Sequence, residues 1–337
     1  MKKILYIGNN FTKKTDYNST MATLSQLLED EGYLVTRFSD KKNKITRLLA
    51  MCMAVITKGK KNDFILIDTF STVSFYYALI TSQIARLFSI KYIPILHGGN
   101  LPSRLDKSYF SSKLIFNNSY KNIAPSIYLQ QAFKKKGFDT CFIPNGILIE
   151  EYNYKQRNVI QPKLLWVRAF DKTYNPLLAI KVLVELRKKY PQATLCMVGP
   201  DKDGTLGEAK KIAKKLEIYM SIKFTGVLPK DEWHRLSENY DIFINTTNVD
   251  NMPVSIIEAM ALGLPIVSTN AGGLPYLISN NIDGILVNID NEQEMVDAII
   301  KIIESPSKVS ELSQNARLKA EKYDLEIIKN QWLDLLT

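Results

Sequence analysis

Asp250-Asn251-Met252-Pro253-Val254-Ser255-Ile256-Ile257-Glu258-Ala259-Met260-Ala261-Leu262-Gly263-Leu264-Pro265 sets two acids around the start of a short helix. Pro253 suits a first helical turn, where a backbone N–H has no partner in any case. Gly263 followed by Pro265 reads as a left-handed cap and a stop. Start and stop together predict a helix of about ten residues. Tyr240-Asp241-Ile242-Phe243-Ile244-Asn245 before it and Pro265-Ile266-Val267-Ser268-Thr269 after it read as strands, which makes a βαβ unit. In open α/β sheets ligands lie beyond the carboxyl ends of the strands, so Asn245 to Glu258 falls where a ligand is expected. The helix start there offers unpaired N–H groups and positive potential to an anion or to hydroxyls.

The same alternation runs outward in both directions. Towards the N-terminus, Lys163-Leu164-Leu165-Trp166-Val167 is a predicted strand ending on Arg168, and a loop through Lys172 and Pro176 leads into a helix over 177–189. Cations beside a helix start are well placed for a phosphate, since a guanidinium forks onto its oxygens. Further strands end on Gly199-Pro200 and on Phe224-Thr225-Gly226, and Asn270-Ala271-Gly272-Gly273 precedes another helix start at Leu274. The first half shows buried strands over 4–7, 63–68 and 91–96 and a polar loop over 8–18. A helix follows, capped at Ser19 or Thr20, with Met21, Leu24, Leu27 and Leu28 on one face. The third strand ends on His97-Gly98-Gly99, which puts an imidazole at a strand's carboxyl end. His234, inside a charged helix, is expected at the surface. The polar run 150–161 reads as a linker.

At 337 residues, 46% hydrophobic and 23% charged, the chain is long enough for two domains and too apolar for disorder. Cys52, Cys141 and Cys196 match no metal-ligand spacing and are expected to be buried reduced thiols. The basic start resembles that of a signal peptide, but the apolar run after it is too short and no small-residue cleavage site follows; no segment has the length of a membrane span, so a cytosolic or peripheral location is expected. The net charge of +10 is unevenly spread: residues 1–155 hold 22 Lys+Arg against 11 Asp+Glu, whereas 156–337 hold 22 against 23. A field of this kind points to an anionic partner for the first half. The stretch 41–61 is apolar at its centre and basic at both ends. It reads either as an amphipathic helix on an anionic membrane or as a core helix with solvated ends, and the spread of its apolar residues favours the core helix. No nucleic-acid-reading motif accompanies the basic half.

An acid, seven residues, a second acid, then Ala-Met-Ala-x-Gly-x-Pro-Ile-Val and a Gly-Gly loop resembles the retaining nucleotide-sugar glycosyltransferases of the GT-B fold, family 4 type (glycosyl transferases group 1). The resemblance implies an α/β protein of two Rossmann-like domains with a cleft between them. The acceptor-binding domain is assigned to 1–155 and the nucleotide-sugar domain to 156–323, and a C-terminal helix over 324–337 crosses back to the first. Carried over by position, Glu258 resembles the acid on the nucleotide ribose, Asp250 the acid near the sugar, Arg168 the diphosphate cation and His97 the residue near the anomeric carbon. Asn251 and Met252 would offer backbone N–H groups to sugar hydroxyls, with Pro253 and Val254 at the helix start, and Gly199, Gly226, Gly272 and Gly273 would line the donor site. The family's first acid is usually Glu, and Asp250 is one methylene shorter. Lys172 lies one residue early for the second diphosphate cation. The implied activity is transfer of a sugar from a nucleotide-diphosphate donor to a polysaccharide precursor, glycolipid or similar acceptor, with no cofactor and no metal. Asp201-Lys202-Asp203 has metal-pair spacing but lies in a polar loop. A sugar-nucleotide epimerase of the same architecture and a non-catalytic nucleotide-sugar binder are the alternatives.

Overall fold

A computed structural model describes residues 2–10 and 20–337. Most of the polar loop expected over 8–18, and the cap at Ser19, lie outside them. The chain divides into two units, Met1–Asn145 with Leu325–Thr337, and Gly146–Asp324.

The first unit runs β1 (Lys3–Ile7), α1 (Thr20–Asp30), β2 (Leu34–Phe38), α2 (Lys44–Lys58), β3 (Phe64–Thr69), α3 (Ser74–Leu87), β4 (Tyr92–Leu96), α4 (Leu101–Lys107), α5 (Tyr109–Phe116), β5 (Ile123–Ala124), α6 (Ile127–Lys135) and β6 (Cys141–Phe142). Its strands form one parallel sheet in the order β2-β1-β3-β4-β5-β6. Helices over a parallel sheet bury its strands on both faces, which is why Phe64-Ile65-Leu66-Ile67 is apolar without alternation and wholly buried. Cys141 stands exposed on the edge strand β6 and Cys52 is half-buried, so only Cys196 is the buried thiol expected of all three.

The second unit runs β7 (Lys163–Val167), α7 (Pro176–Lys189), β8 (Thr194–Val198), α8 (Thr205–Lys215), β9 (Ile222–Gly226), α9 (Lys230–Ser237), β10 (Ile242–Asn245), α10 (Val254–Ala261), β11 (Ile266–Thr269), α11 (Leu274–Leu277), β12 (Ile285–Val287), α12 (Glu292–Glu304) and α13 (Pro306–Glu321). Its parallel sheet has the order β12-β11-β10-β7-β8-β9. Counted from its own first strand this is the 3-2-1-4-5-6 order of dinucleotide-binding folds, with the reversal between β7 and β10. The expected linker over 150–161 is instead packed into this unit: Tyr152 is buried among the α10 residues. The buried Arg157 guanidinium bonds the carbonyls of Ser237, Tyr240 and Leu262. Polarity there reflects side chains serving carbonyls at loop ends rather than solvation.

A last helix, α14 (Leu325–Leu336), belongs to the first unit. Lys2 Nζ donates to the carbonyls of Leu336 and Thr337 (2.6 and 2.7 Å), and Lys329 pairs with Glu31 at 3.0 Å. Leu325, Ile328, Trp332 and Leu336 are its buried residues, whereas Ile327 is exposed.

Candidate active site

The loops that leave β7 and β10 are fastened to each other. Trp166, at the end of β7, donates through Nε1 to Thr246 Oγ1 (3.0 Å), and Thr246 in turn donates to the Tyr174 carbonyl (2.8 Å). Asn248 N–H reaches the Thr173 carbonyl (2.8 Å) and its amide the Lys172 carbonyl (3.2 Å). The turn over 172–174 is itself capped by the Asp171 carboxylate on Thr173 N–H. These bonds bring Arg168 and Asp250, 82 positions apart, into an ion pair between Nη2 and Oδ2, each side chain only 14% exposed. The guanidinium also lies 4.8 Å over the Tyr174 ring, and its Nε is buried without a hydrogen-bond partner.

Two glycines press the next loop against this pair. Gly272 (φ +57°) and Gly273 lie so close to the Asp250–Asn251 backbone that a Cβ on Gly273 would stand 1.8 Å from the Asn251 carbonyl oxygen. Gly273 N–H donates to the Asp250 carbonyl (3.0 Å). On the other side Gly199 (φ +147°) packs on Arg168, where a Cβ would meet its carbonyl oxygen at 1.8 Å, and donates N–H to the Gly226 carbonyl (2.8 Å). Asn251 N–H is donated to Asp250 Oδ1 (2.8 Å), so the group expected to serve a sugar hydroxyl is engaged locally. Met252 is buried, and Pro253 caps α10, which begins at Val254 and runs eight residues rather than ten. The helix start expected at Leu274 is real, but α11 is a single turn of four residues and offers little dipole.

Glu258 faces a second constellation. It is 5% exposed on α10, and its Oε1 accepts from the Tyr152 hydroxyl (2.9 Å) and from Lys230 Nζ (3.1 Å). Burial, then Glu258, hold the Tyr152 hydroxyl well above its ordinary value, so it remains a proton donor to the carboxylate. The His234 ring lies 4.5 Å from the Tyr152 ring, tilted by 46°, and burial lowers its imidazole below the ordinary value. The surface position expected for His234 is therefore corrected: α9 buries the neighbouring Trp233 and tucks the imidazole beside it. Sequence reasoning missed Tyr152, Lys230, His234 and Tyr174. The only signal was aromatic residues in runs otherwise read as linker or loop.

Lys172 is exposed. Its backbone N–H donates to Asp203, whose carboxylate also takes Thr205 N–H, and Asp201 accepts from Gly204 N–H. The Asp-x-Asp carboxylates thus fix the turn before α8. Among the described residues no group of three or more His, Cys, Asp or Glu is arranged to hold a metal ion.

In the first unit His97 Nε2 lies 2.8 Å from Asp68 Oδ1, which also accepts from the Tyr6 hydroxyl (3.0 Å), and the imidazole stacks on Phe70. Asp68 crowds Gly8, where a Cβ would meet its carboxylate at 2.2 Å. The ends of β1, β3 and β4 therefore converge on one buried carboxylate, and Asp68, not singled out from the sequence, orients His97.

Residues 150–319, half of the chain and nearly all of the second unit, match the family model for glycosyl transferases group 1. The chain belongs to this family. An uncharacterized glycosyltransferase of Haemophilus influenzae is 32% identical over 212 residues, covering 61% of this chain and 57% of the relative's length. The chain therefore spans little more than half of that relative. Two solved structures share the whole architecture. HepE of Anabaena, crystallised with UDP and glucose, superposes with a TM-score of 0.81 at 20% identity, covering 100% of this chain and 99% of HepE. Sucrose-phosphate synthase of Thermosynechococcus elongatus gives 0.82 at 16%, covering 99% and 98%. The family fold is thus GT-B, with two Rossmann-like units and a C-terminal helix that returns to the first.

Proposed function

We propose that the protein is a retaining glycosyltransferase that takes a sugar from a nucleotide-diphosphate donor. The observation that carries this is the pair of acids flanking the start of α10. Glu258 is buried and held by Tyr152 and Lys230 on one oxygen, which leaves the other for a ribose diol. Asp250 is paired to Arg168 at the reversal point of the sheet. The unpartnered Arg168 Nε and the N-terminus of α10 supply the positive field that a departing diphosphate needs. Lys172 is the nearest further cation along the chain. The UDP and glucose bound by HepE support a nucleotide sugar as donor here.

In the reaction the bond from the anomeric carbon to the diphosphate oxygen breaks through an oxocarbenium-like state. The acceptor oxygen bonds to the same face of that carbon, and its proton passes to the departing diphosphate. Retention, a polysaccharide precursor or glycolipid as acceptor, a role for His97 beside the anomeric carbon and operation without a metal rest on the family resemblance. The test is transfer by Glu258→Ala across a panel of nucleotide sugars. Losing a charge-assisted bond costs about 1.5–3 kcal/mol, so donor affinity is expected to fall roughly ten- to a hundredfold. Unchanged transfer with every donor would sink the assignment. Product formed from donor alone would mark an epimerase, and donor binding with no turnover a non-catalytic binder. The anomeric coupling of the product, read by proton NMR, decides retention.

A further inference from the structure

The first unit carries an apolar face that its own core does not cover. Along α2, Met51, Ala54 and Val55 are buried, whereas Ile45, Leu49, Met53 and Ile56 are between 47 and 71% exposed. Steps of four, four and three residues align them in one stripe, about 17 Å long at the helical rise. The helix packs along α3, where Tyr76 and Ile80 are exposed, as is Val73 just before it, and Tyr77 of α3 donates to the Lys44 carbonyl (3.1 Å). Single exposed apolar residues are ordinary on a protein surface; an aligned set marks a contact. The favoured reading of this stretch, a core helix with solvated basic ends, accounts for its buried face and leaves the exposed stripe unexplained.

Charge says what the stripe meets. Exposed Lys41, Lys42 and Lys44 stand at one end and exposed Lys58, Lys60 and Lys61 at the other, with no acid from Lys41 to Asn62. Arg47 donates from Nε and Nη2 to the carbonyls of Lys41 and Lys42 (2.7 and 2.8 Å), which fixes the backbone carrying those lysines against the first helical turn. That turn contains no acid, so three lysines crowd the positive end of the helix dipole. The arrangement opposes helix stability unless anions face it.

We propose that this face rests on an anionic lipid surface, with Ile45, Leu49, Met53 and Ile56 entering the acyl boundary and the lysines at the headgroup phosphates. An interfacial helix combines these two features. A polynucleotide would meet the lysines and leave the stripe in water, and a second copy of the chain would oppose lysine to lysine. A bilayer satisfies both. Among the described residues no helix is long and apolar enough to cross a membrane, so the contact is one of surface docking. The proposal stands apart from sugar transfer and is tested without it.

The test is flotation of the full chain with vesicles of equal parts phosphatidylglycerol and phosphatidylcholine. Binding is expected, weakening with added salt, and absent on pure phosphatidylcholine. Leu49→Ser with Met53→Ser lowers the partition coefficient at least about tenfold, and each of Lys41→Gln, Lys42→Gln and Lys44→Gln about fivefold. All five sites are exposed, so melting temperatures stay at the wild-type value. In Met53→Trp the fluorescence of the new side chain shifts to the blue on the anionic vesicles. No flotation of the wild type, a Leu49→Ser/Met53→Ser variant that floats undiminished, or an emission maximum that does not move would each overturn the proposal. A lipid-free dimer that the same double substitution converts to monomer would assign the face to a second copy instead.

Discussion

At the scale of single residues, the candidate site is a set of charges that hold one another. Asp250 neutralises Arg168, so under the proposed function a diphosphate has to compete with a carboxylate for the guanidinium. Asp250→Asn is expected to tighten binding of a sugar-free nucleoside diphosphate roughly fivefold, the scale of a partly exposed ion pair, while sugar transfer slows. Calorimetric titration reads the first effect, and weaker binding would mean that Asp250 instead holds Arg168 in its binding pose. His234 gives a pH signature. Its ordinary value is 6.5, and burial lowers it against the opposing pull of Glu258 and Asp231, with Lys230 also lowering it. The folded state therefore prefers the neutral ring. As pH falls through about 6.5 the unfolded chain takes up a proton first, so stability declines with falling pH until the native ring protonates too. His234→Asn should narrow the fall in melting temperature between about pH 7.5 and about pH 5; a fall as steep as that of the wild type would show that other groups set it. The two acids were legible because they share one continuous stretch. Tyr152 reaches Glu258 across 106 positions, and no local spacing encodes such a contact.

At the scale of elements, most long buried strands and capped helices were legible to within about three residues at their ends, because strands covered on both faces and amphipathic helices carry a strong period. The two-residue strand β6, and helices α4 and α5 with seven and eight residues, are too short for a period to register, and the sequence assigns no element to these or to the eleven-residue α8. The glycine loop before α11 was legible as a loop, whereas the contact it makes was not. Gly273 has φ −84°, which any residue adopts, so its requirement is purely the closeness of the Asn251 carbonyl. Gly273→Ala must then push the Asp250–Asn251 loop away. The expected cost is about 1–3 kcal/mol in stability, with a rise in donor KM larger than any fall in kcat. An alanine variant with wild-type donor KM would show that this loop's position is immaterial to binding.

At the scale of the whole molecule, each unit closes its own core. One cluster of buried side chains gathers on the first sheet, and two others, around Trp166 and around α10, lie wholly within residues 146–324. The family match falls inside the same bounds, and so do Arg168, Lys172, Asp250, Glu258 and their partners. Among the described residues their interactions come from that unit: Tyr152 and Lys230 on Glu258, Tyr174 beneath Arg168, the glycines against Asp250. Residues 146–324 expressed alone are therefore expected to fold cooperatively and to bind the donor within about threefold of the full chain's affinity, a difference of roughly 0.7 kcal/mol. Donor at about a hundred times its Kd should stabilise the fragment by about 2.7 kcal/mol, read as a rise in melting temperature. The fragment should transfer no sugar, since His97 and Asp68 belong to the other unit. A fragment that folds but ignores the donor would mean that binding draws on residues of the first unit, and one that does not fold would mean that the two cores depend on each other.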